Sequence, residues 1–402
     1  MDHSDHAGLD HRTDANHMEH GGHDDLDHSD HGNMNHSDHA GMNHSAMGHD
    51  MSGHDHHMME GGFMSMVAMT QDLPPSRDGL PMEWVETAFG PLFPGLPAGL
   101  GARLTLDGDT VAAATLDTGY VHRGIAPSLP GPAAILGDRL AGLDPLAPVA
   151  YRVLAAKTLA AARSEDGPDA IDRASIGALE RERIASHLGW LATFLELLGI
   201  GALADRAAWL HLTVVQTHDL AAMQALRPRI ERMTRDVGRA PMLARRTAGI
   251  GSLDLETLGD TSGPVARASG RSVDARSDSA AYRALGFEPV ARERGDVHAR
   301  LQTRLAEVRQ SLDLLAASGT TGLTLPEVPA HLSGSGMATV ETPRGSAHLH
   351  LVAHHGAIVE AHLSPPSPAL ADIVPVVGEQ AELADALVGI ASLDISPWEL
   401  DQ

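Results

Sequence analysis

The side chains best suited to chemistry in this chain are the imidazoles of residues 1–57, of which there are 15. They alternate with carboxylates and thioethers in a short repeat, as in HSDHGNMNH (28–36) and NHSDHAGMNHS (35–45). Imidazole is a good ligand for zinc, nickel and copper(II), and methionine adds affinity for copper(I). The pattern therefore predicts metal binding of low specificity, with Zn, Cu or Ni as candidates, through His28, His31, Met34, His36, His39, Met42, His44, His54, His56 and His57.

The segment that carries these ligands is expected to be a disordered tail over 1–62. It contains almost no branched aliphatic residues and no aromatic ones, so it cannot bury enough apolar surface to offset the entropy of ordering. Residues 1–60 hold 13 acidic residues and a single basic one, Arg12. Two interpretations stay open: a metal buffer or delivery arm, or a solvated tail that binds metal only weakly. A linker (63–80) and a folded domain (81–402) follow.

Composition excludes several functional classes. The 402 residues contain no cysteine, so this chain by itself offers no disulfide, no thiolate nucleophile and no ligands for an iron–sulfur cluster. The net charge of −24 argues against nucleic acid as a partner, because phosphates attract the opposite sign. The sequence has neither a run of 18 apolar residues nor a secretory signal, which predicts a cytoplasmic chain.

The domain should contain strands at both ends and helices between them. Alternating residues around Asp107-Gly108 predict a β-hairpin over 102–117. Helical spacing predicts helices over 145–164, 174–199 and 297–318, with Gly199 ending the second, and one or two helices over 203–236 interrupted near Pro228. Strands are predicted over 337–345, 346–356 and 357–367, and an irregular segment over 249–295.

This order predicts an α+β fold, in which a helical bundle packs beside one small antiparallel sheet formed by the N- and C-terminal strands together. Within the strand predicted over 346–356, His348 and His350 have the spacing that puts two imidazoles on one face. That geometry could hold a metal, but a solvent-facing edge is the favoured interpretation.

Seven motifs occur in order over almost the whole domain. They are FGPLFPGLPAGLGARLTLDGDTV (89–111), TGYVHRGI (118–125), GDRLAG (137–142), ERERIASHLGWL (180–191), GPVARASGRSVDAR (263–276), GDVHARLQTRLAEVRQSL (295–312) and TPRG (342–345). Together they resemble the hydrogenase-like large subunit of respiratory complex I and the large subunit of membrane-bound, group 4 [NiFe] hydrogenases. The resemblance implies the family's fold, packed against a small subunit that carries a [4Fe–4S] cluster.

The nickel–iron ligands of the hydrogenases are missing. In that family two CxxC pairs bind the metals; the first pair aligns with Ala141 and Asp144, and the second with Ser396 and Glu399. Bridging thiolates cannot be replaced by these side chains, so the sequence predicts that the protein is not an active [NiFe] hydrogenase.

The familiar quinone-binding residues of complex I are also absent. The resemblance puts Phe93 and Pro97 at its two histidine positions and Gly142 at its tyrosine position. None of these side chains can donate or accept a proton. A quinone therefore remains a candidate ligand only through altered residues, and no cofactor is expected to bind this chain tightly.

Three residues match positions that face the partner's iron–sulfur cluster in complex I: Arg139 and His187, with Arg123 as a further member. A nearby cation and a titratable imidazole raise a cluster's potential and couple its reduction to proton uptake. The alternative is that Arg139 and His187 are interior groups paired with carboxylates or carbonyls.

The resemblance implies a peripheral-arm subunit of an NADH:quinone dehydrogenase-like complex on the inner face of the cell membrane. Its partners would be an iron–sulfur small subunit, other peripheral subunits and ion-translocating membrane subunits, and it would couple electron transfer to ion translocation. Two alternatives stay open: an inactive scaffold subunit of such a complex, and a metal-storage or delivery protein that acts through its tail.

Overall fold

The computed structural model describes residues 85–118, 128–163 and 168–400. All of them belong to one unit of the chain, Gly61–Gln402. The predicted tail (1–62), the linker (63–80) and Arg123 lie outside the described residues, so their predictions stay predictions.

The first sheet contains three antiparallel strands, β1 (Val85–Phe89), β2 (Gly101–Asp107) and β3 (Thr110–Asp117), in the order β1-β2-β3. Asp107 pairs with Thr110, so Gly108 and Asp109 form the turn of the predicted hairpin, and Gly108 takes the φ of 58° that such turns require. Alternate apolar side chains of β2 and β3 face inward into a core shared with C-terminal helices.

The second sheet contains β4 (Gly131–Pro132), β5 (Gly334–Glu341), β6 (Ser346–His354) and β7 (Ala357–Ser364), in the order β4-β7-β6-β5. Its three long strands are antiparallel neighbours, as the sequence predicted. The leucines and alanines of β6 that alternate with polar residues are buried, and they pack with the first long helix in a separate core.

The prediction of one sheet shared by the chain ends is wrong, because the N-terminal and C-terminal strands form separate sheets. The outer edge of β3 is not available to another strand. Val111 donates its N–H to the carbonyl of Ala381 at 2.9 Å and accepts from Gln380 at 2.8 Å. The segment that precedes a C-terminal helix thus covers this edge of the first sheet, so no strand of the second sheet can bond there.

Twelve helices are described. They are α1 (Leu136–Ala141), α2 (Pro148–Ala162), α3 (Pro168–Leu197), α4 (Gly201–Gln216), α5 (Leu220–Gly238), α6 (Gly263–Ala268), α7 (Ala280–Ala284), α8 (Val297–Ser318), α9 (Ser367–Asp372), α10 (Val374–Gly378), α11 (Leu383–Ala391) and α12 (Pro397–Leu400). The core of the bundle lies between α3, α4, α5 and α8. No helix of the described ranges is long and apolar enough to span a bilayer.

The long helices end where their sequence signals predict. Gly199 has φ 70° after α3, and the N–H of Ile200 returns to the carbonyl of Leu195 at 2.9 Å, which closes the helix. The side chain of Asp296 accepts the N–H of Ala299 at 2.7 Å at the start of α8, and Gly319 with φ 73° ends it.

The predicted interruption near Pro228 is wrong, because Pro228 lies inside α5. The break falls at 217–219 instead. Thr217 leaves helical geometry with a ψ of 109°, and the Asp219 carboxylate accepts the N–H of Ala222 at 2.8 Å to begin α5. Pro228 is on the exposed side of α5, where water can satisfy the carbonyl that its missing N–H leaves unpaired.

Close packing of α3 against the end of α8 depends on Gly177, where an added Cβ would lie 1.7 Å from the Thr320 carbonyl oxygen. We expect Gly177→Ala to lower the free energy of unfolding by about 2 kcal/mol or more, because backbone would have to move. Gly201→Ala is the matched control, since a Cβ there meets nothing within 4 Å. Urea unfolding of both variants tests the prediction, and equal stabilities would contradict it.

Candidate functional site

The interior contains two groups of polar and charged side chains, almost all of them less than one tenth exposed. The Arg344 cluster comprises Asp144, Tyr151, Arg344, Ser367, Asp394, Ser396 and Glu399. The Arg267 cluster comprises Glu180, Arg183, His187, Arg267, Asp274, Arg276, Glu307 and Glu341. Charges rarely occupy a protein interior unless they are paired, so each of these side chains should have an opposite charge or a hydrogen-bond partner nearby.

Arg344 is the centre of its cluster. Its Nη1 donates to Asp144 Oδ2 at 2.6 Å, its Nη2 lies 3.4 Å from Asp394 Oδ1, and its Nε donates to the Asp394 carbonyl at 2.9 Å. The guanidinium is held by the turn after β5, where Thr342 Oγ1 donates to the Gly345 carbonyl at 2.9 Å. The turn therefore aims one cation between two carboxylates from distant parts of the chain.

Glu399 lies beside this ion pair and is saturated with donors. Tyr151 donates its hydroxyl to Oε1 at 2.6 Å, while Ser367 donates both its hydroxyl and its N–H to Oε2. Ser367 Oγ in turn accepts the N–H of Ser396 at 2.9 Å. Burial, and next the negative charge of Asp144, raise the pKa of Glu399 to about 7. Burial and the neighbouring Glu399 also raise the pKa of Tyr151 well above its usual value.

The fold thus brings together three of the four positions that align with nickel–iron ligands: Asp144, Ser396 and Glu399. Ala141 is partly exposed at the end of α1. The donor set does not fit a nickel–iron centre, because the Asp144 carboxylate is bound to a guanidinium and both Glu399 oxygens accept protein hydrogen bonds. The positive charge at this place comes from Arg344.

The Arg267 cluster joins α3, α6 and α8 to the second sheet. Arg267 contacts Glu341 at 2.7 Å, Glu307 at 2.8 Å and Asp274 at 2.9 Å. Arg276 continues the cluster with Asp274 at 2.7 Å and Glu180 at 3.3 Å. Three guanidiniums therefore face four carboxylates, and the geometry pairs nearly every charge, as stable burial requires.

His187 is fully buried in this cluster, with Nε2 3.0 Å from Glu307 Oε2. Burial lowers the pKa of His187 to about 4, although Glu307 favours its protonated form. Burial opposes ionisation of Glu307 as well, but Arg267 and His187 outweigh it and lower the pKa of Glu307 well below its usual value. At neutral pH His187 is accordingly a neutral imidazole that donates Nε2–H to a carboxylate.

Arg183 connects the two clusters through the backbone. Its Nη2 donates to the Glu341 carbonyl at 2.7 Å and its Nη1 to the Thr342 carbonyl at 2.9 Å. Thr342 begins the turn that positions Arg344, so the helix that carries His187 also fixes the Arg344 cluster. The five residues 341–345 are the common boundary of both.

Arg139 is held at another place. Its Nη1 donates to the carbonyls of Ser128 at 2.7 Å and Pro130 at 2.9 Å, just before β4. Within the described ranges no hydrogen bond or ion pair joins Arg139 to His187. The alternative interpretation was that both residues are groups paired with carbonyls or carboxylates. Arg139 binds carbonyls and His187 binds a carboxylate, so both have partners of this kind.

The residues at the positions that align with quinone ligands make packing contacts or backbone hydrogen bonds within the protein. Phe93 packs edge-to-face on Phe89 with ring centroids 5.0 Å apart, and the carbonyl of Pro97 accepts the N–H of Leu100 at 3.0 Å. Gly142 follows the last residue of α1 and its N–H returns to the Arg139 carbonyl at 3.2 Å.

The histidines of β6 lie on the outer face of the second sheet. His348 hydrogen-bonds Thr339 at 2.7 Å and His350 hydrogen-bonds Ser335 at 3.0 Å, both across to β5. Among the residues that the structure describes, no group of three or more His, Asp or Glu side chains could hold a metal ion. The pair faces solvent as the sequence favoured, but the prediction of an edge is wrong, because β6 lies between β5 and β7.

Sequence reasoning did not single out the residues that organise the interior, namely Tyr151, Arg267, Glu307, Arg344 and Asp394. Arg267 and Arg344 do lie within two of the seven motifs, GPVARASGRSVDAR and TPRG. The sequence signal for a buried charge was a charged residue flanked by small or apolar residues. It could not identify partners, because His187 and Glu307 are 120 residues apart and Asp144 and Arg344 are 200 apart.

The chain is similar to known proteins over most of its length. Residues 213–321 match the family "Respiratory-chain NADH dehydrogenase, 49 Kd subunit". One of the D-type subunits of NADH-quinone oxidoreductase from Roseiflexus castenholzii is 26% identical over 412 residues, which cover 84% of this chain and 98% of that protein. The corresponding NADH-quinone oxidoreductase protein of Acidothermus cellulolyticus is 26% identical over 424 residues, covering 83% and 93%.

The fold also has a solved counterpart. A chain in the structure of the membrane-bound sulfane sulfur reductase, an archaeal respiratory membrane complex, superimposes with a TM-score of 0.69. The match covers 79% of this chain and 98% of that chain at 20% identity. At that identity the likeness concerns the fold, a mixture of helices and small antiparallel sheets.

Removing the central guanidinium should be costly. We expect Arg344→Met to lower the free energy of unfolding by about 3–5 kcal/mol, because it leaves the Asp144 carboxylate without its ion-pair partner and leaves Asp394 with Arg304 at 4.0 Å. Arg103→Met is the control, since the Arg103–Glu86 pair is about half exposed and should contribute at most about 1 kcal/mol. Denaturant unfolding measures both, and similar losses in the two variants would refute the buried-pair assignment.

The raised pKa of Glu399 predicts a pH-dependent stability. Because the pKa is raised from 4.5 to about 7, the folded chain holds this proton more tightly than the unfolded chain does. The stabilisation is fully present below pH 4.5 and is lost as the pH rises through 7.

We therefore expect the unfolding free energy of the wild type, minus that of Glu399→Gln, to fall by about 2–3 kcal/mol between about pH 4.5 and 8. The Gln variant removes this titration, so effects of groups that do not interact with Glu399 cancel in the difference. A difference that stays constant, or rises with pH, would show that Glu399 is ionised throughout.

Proposed function

We propose that this chain, a relative of the hydrogenase-like large subunit of respiratory complex I, is a peripheral-arm subunit of a membrane-associated oxidoreductase of that type. The predicted relationship to the large subunits of complex I and of group 4 hydrogenases is confirmed by the family match, the relatives and the fold. In the proposed complex the chain docks an iron–sulfur small subunit, and the assembly couples electron transfer to ion translocation.

The observation that carries this proposal is the Arg344 cluster. Positions that align with metal ligands are still buried together, yet they are joined by a guanidinium, a tyrosine and a serine. The chain spans nearly the full length of its NADH-quinone oxidoreductase relative, while its former metal position is closed by internal pairs. This combination supports a role in assembly and electron transfer rather than hydrogen chemistry.

In the proposed complex, His187 and Arg139 would act on the electrostatics of the partner's iron–sulfur cluster. The [4Fe–4S] cluster would belong to the small subunit, because this chain has no cysteine. Near such a cluster, Arg139 would act as a fixed positive charge, and neutral His187, whose Nε2–H is held by Glu307, would take up a proton at its unpaired Nδ1 when the cluster is reduced. Both would stabilise the reduced cluster and raise its potential.

A scaffold subunit without influence on electron transfer is the second candidate. It is favoured by the same contacts, since His187, Arg139 and Glu399 all have partners within the protein. The metal-storage alternative depends on the tail histidines and on Zn, Cu or Ni binding there. A quinone remains a candidate acceptor, and it would have to use residues other than Phe93, Pro97 and Gly142.

The subunit proposal is tested by purifying the tagged full-length chain from gently solubilised membranes of its native host. We expect it to bring an iron–sulfur small subunit and ion-translocating membrane subunits. A chain lacking residues 1–62 is the matched control and should bring the same subunits. Recovery of the chain alone, loaded with metal and dependent on the tail, would instead establish the metal-storage alternative.

The two roles of the body are separated by a redox titration of the assembled complex. We expect His187→Leu to lower the midpoint potential of the partner's cluster, followed by electron paramagnetic resonance, and to weaken its pH dependence, because the imidazole that takes up a proton on reduction is lost. His298→Leu is the control. His298 contacts Thr247 at 3.0 Å and lies nine residues before Glu307 on α8. An unchanged potential in a fully assembled complex would favour the scaffold.

A further inference from the structure

We propose that the outward face of α4 is the docking site for an amphipathic helix of another subunit, apolar toward Trp209 and acidic along its flanks. The inference rests on the proposed function in one respect only, that this chain works inside a complex. It adds which surface is covered and what chemistry covers it.

The first observation is that α4 is apolar on two opposite sides. Its inner side buries Ala204, Ala207, Leu210 and Val214 in the bundle core. Its outer side exposes Trp209 by 48%, Leu212 by 57% and Val215 by 47%. These three residues are spaced three apart, so they form one stripe along the helix. A helix that is apolar on both sides is typical of a buried position, so the outer stripe fits a partner.

The second observation is a basic border along this stripe. Helix α5 lies beside α4 and is joined to it by the pair Arg206–Asp236 at 2.5 Å. The Arg229 guanidinium lies 5.5 Å from the centroid of the Trp209 ring, which places a cation at the edge of the apolar surface. Arg232 follows three residues later on the same side of α5 and is exposed, and no described carboxylate contacts it.

This border decides the charge of the partner. Arg229 and Arg232 place two cations beside the Trp209 end of the stripe, while the exposed Asp205, one turn before Trp209 on α4, is an acidic member of this surface. A second copy of the chain would present the same arginines and would be repelled. Carboxylates on either side of an apolar stripe are the complementary arrangement, and such pairing specifies orientation as well as attraction.

The third observation is a cleft of about 100 Å³ at the end of the stripe, with the half-exposed Val215 at its rim. Ser186 lines it with a buried hydroxyl that has no hydrogen-bond partner. His211 lines it too, and its Nδ1 donates to the Ala185 carbonyl at 2.7 Å, so its Nε2 is left as an acceptor. A buried unpaired hydroxyl is costly unless a ligand completes it.

The cleft fits one anchoring side chain of the partner helix. The anchor must be small, and it must both accept from Ser186 and donate to His211, which a hydroxyl or carboxamide side chain can do. Arg181 and Glu182 line the cleft as well, and burial raises the pKa of Glu182 to about 8, so that its carboxyl is mostly protonated at neutral pH. A carboxylate anchor is excluded because it could not donate to His211.

The test replaces Leu212 by the photo-cross-linking amino acid p-benzoylphenylalanine in the full-length chain within its native complex. After irradiation, the attached peptide is identified by mass spectrometry. Leu255 is the matched control position, since it is 56% exposed in a loop. We expect Leu212 to capture one segment of a different subunit, with apolar residues at helical spacing, flanking Asp or Glu residues and a Ser, Thr, Asn or Gln near one end.

Charge reversal sharpens the result. The double variant Arg229→Glu, Arg232→Glu should reduce the Leu212 cross-link about fivefold or more, and reversing the partner's carboxylates to lysine should restore it. Arg173→Glu serves as the control, because Arg173 is exposed near the start of α3, beyond the end of α4. A circular dichroism spectrum and thermal unfolding of each variant verify that the bundle is intact.

Capture of lipid, of a second copy, or of a segment without acidic flanks would overturn the proposal, as would a cross-link that survives charge reversal. Its failure is distinguishable from failure of the proposed function. If the complex purifies with its iron–sulfur and membrane subunits but Leu212 captures none of them, only the docking surface is wrong. If the chain purifies alone, the proposed function itself is wrong.

Discussion

The interior of this protein depends on the guanidinium of Arg344, which holds together parts of the chain that no local element joins. It contacts Asp144, 200 residues earlier, and Asp394, 50 residues later. An arginine suits this place because its charge is permanent and its planar fork can bind two groups at once. At the positions that the sequence analysis aligned with nickel–iron ligands, the charges are those of one guanidinium and its carboxylates.

The second constraint is that both clusters share the segment 341–345. Arg183 binds the carbonyls of Glu341 and Thr342, while the Glu341 side chain binds Arg267. A change on either side is therefore transmitted to the other through a few bonds. Buried ion pairs contribute little net stability compared with apolar residues of similar size, but they penalise any arrangement that leaves a charge unpaired. The clusters thus specify how sheet, bundle and C-terminal helices fit together.

These constraints bear directly on function. The charged groups of the Arg344 cluster are paired with one another, and burial keeps the pKa of His187 low enough to hold it neutral. The surface of α4 presents the contrasting case: apolar and basic side chains that the fold leaves exposed, and a cleft with an unpaired hydroxyl. Paired charges in the interior and an exposed apolar and basic surface on α4 together fit a chain that works within an assembly.

The sequence by itself determined the features that depend on neighbouring residues. Gly108 fixed the hairpin turn, Asp296 and Gly319 fixed the ends of α8, and Gly199 ended α3, because caps and turns are decided within a few residues. The ordered motifs likewise indicated the relationship to the large subunit of complex I. The lack of cysteine made a nickel–iron centre held by thiolates of this chain chemically untenable.

Only the tertiary structure decided which distant groups meet. Periodicity could not reveal that residues 379–383 cover the edge of β3, nor that Asp219 rather than Pro228 marks the break between α4 and α5. Nor could it pair Arg344 with Asp144 or His187 with Glu307. A buried charge is stabilised by whichever opposite charge the fold brings within about 3 Å, and that distance is a property of packing, not of local sequence.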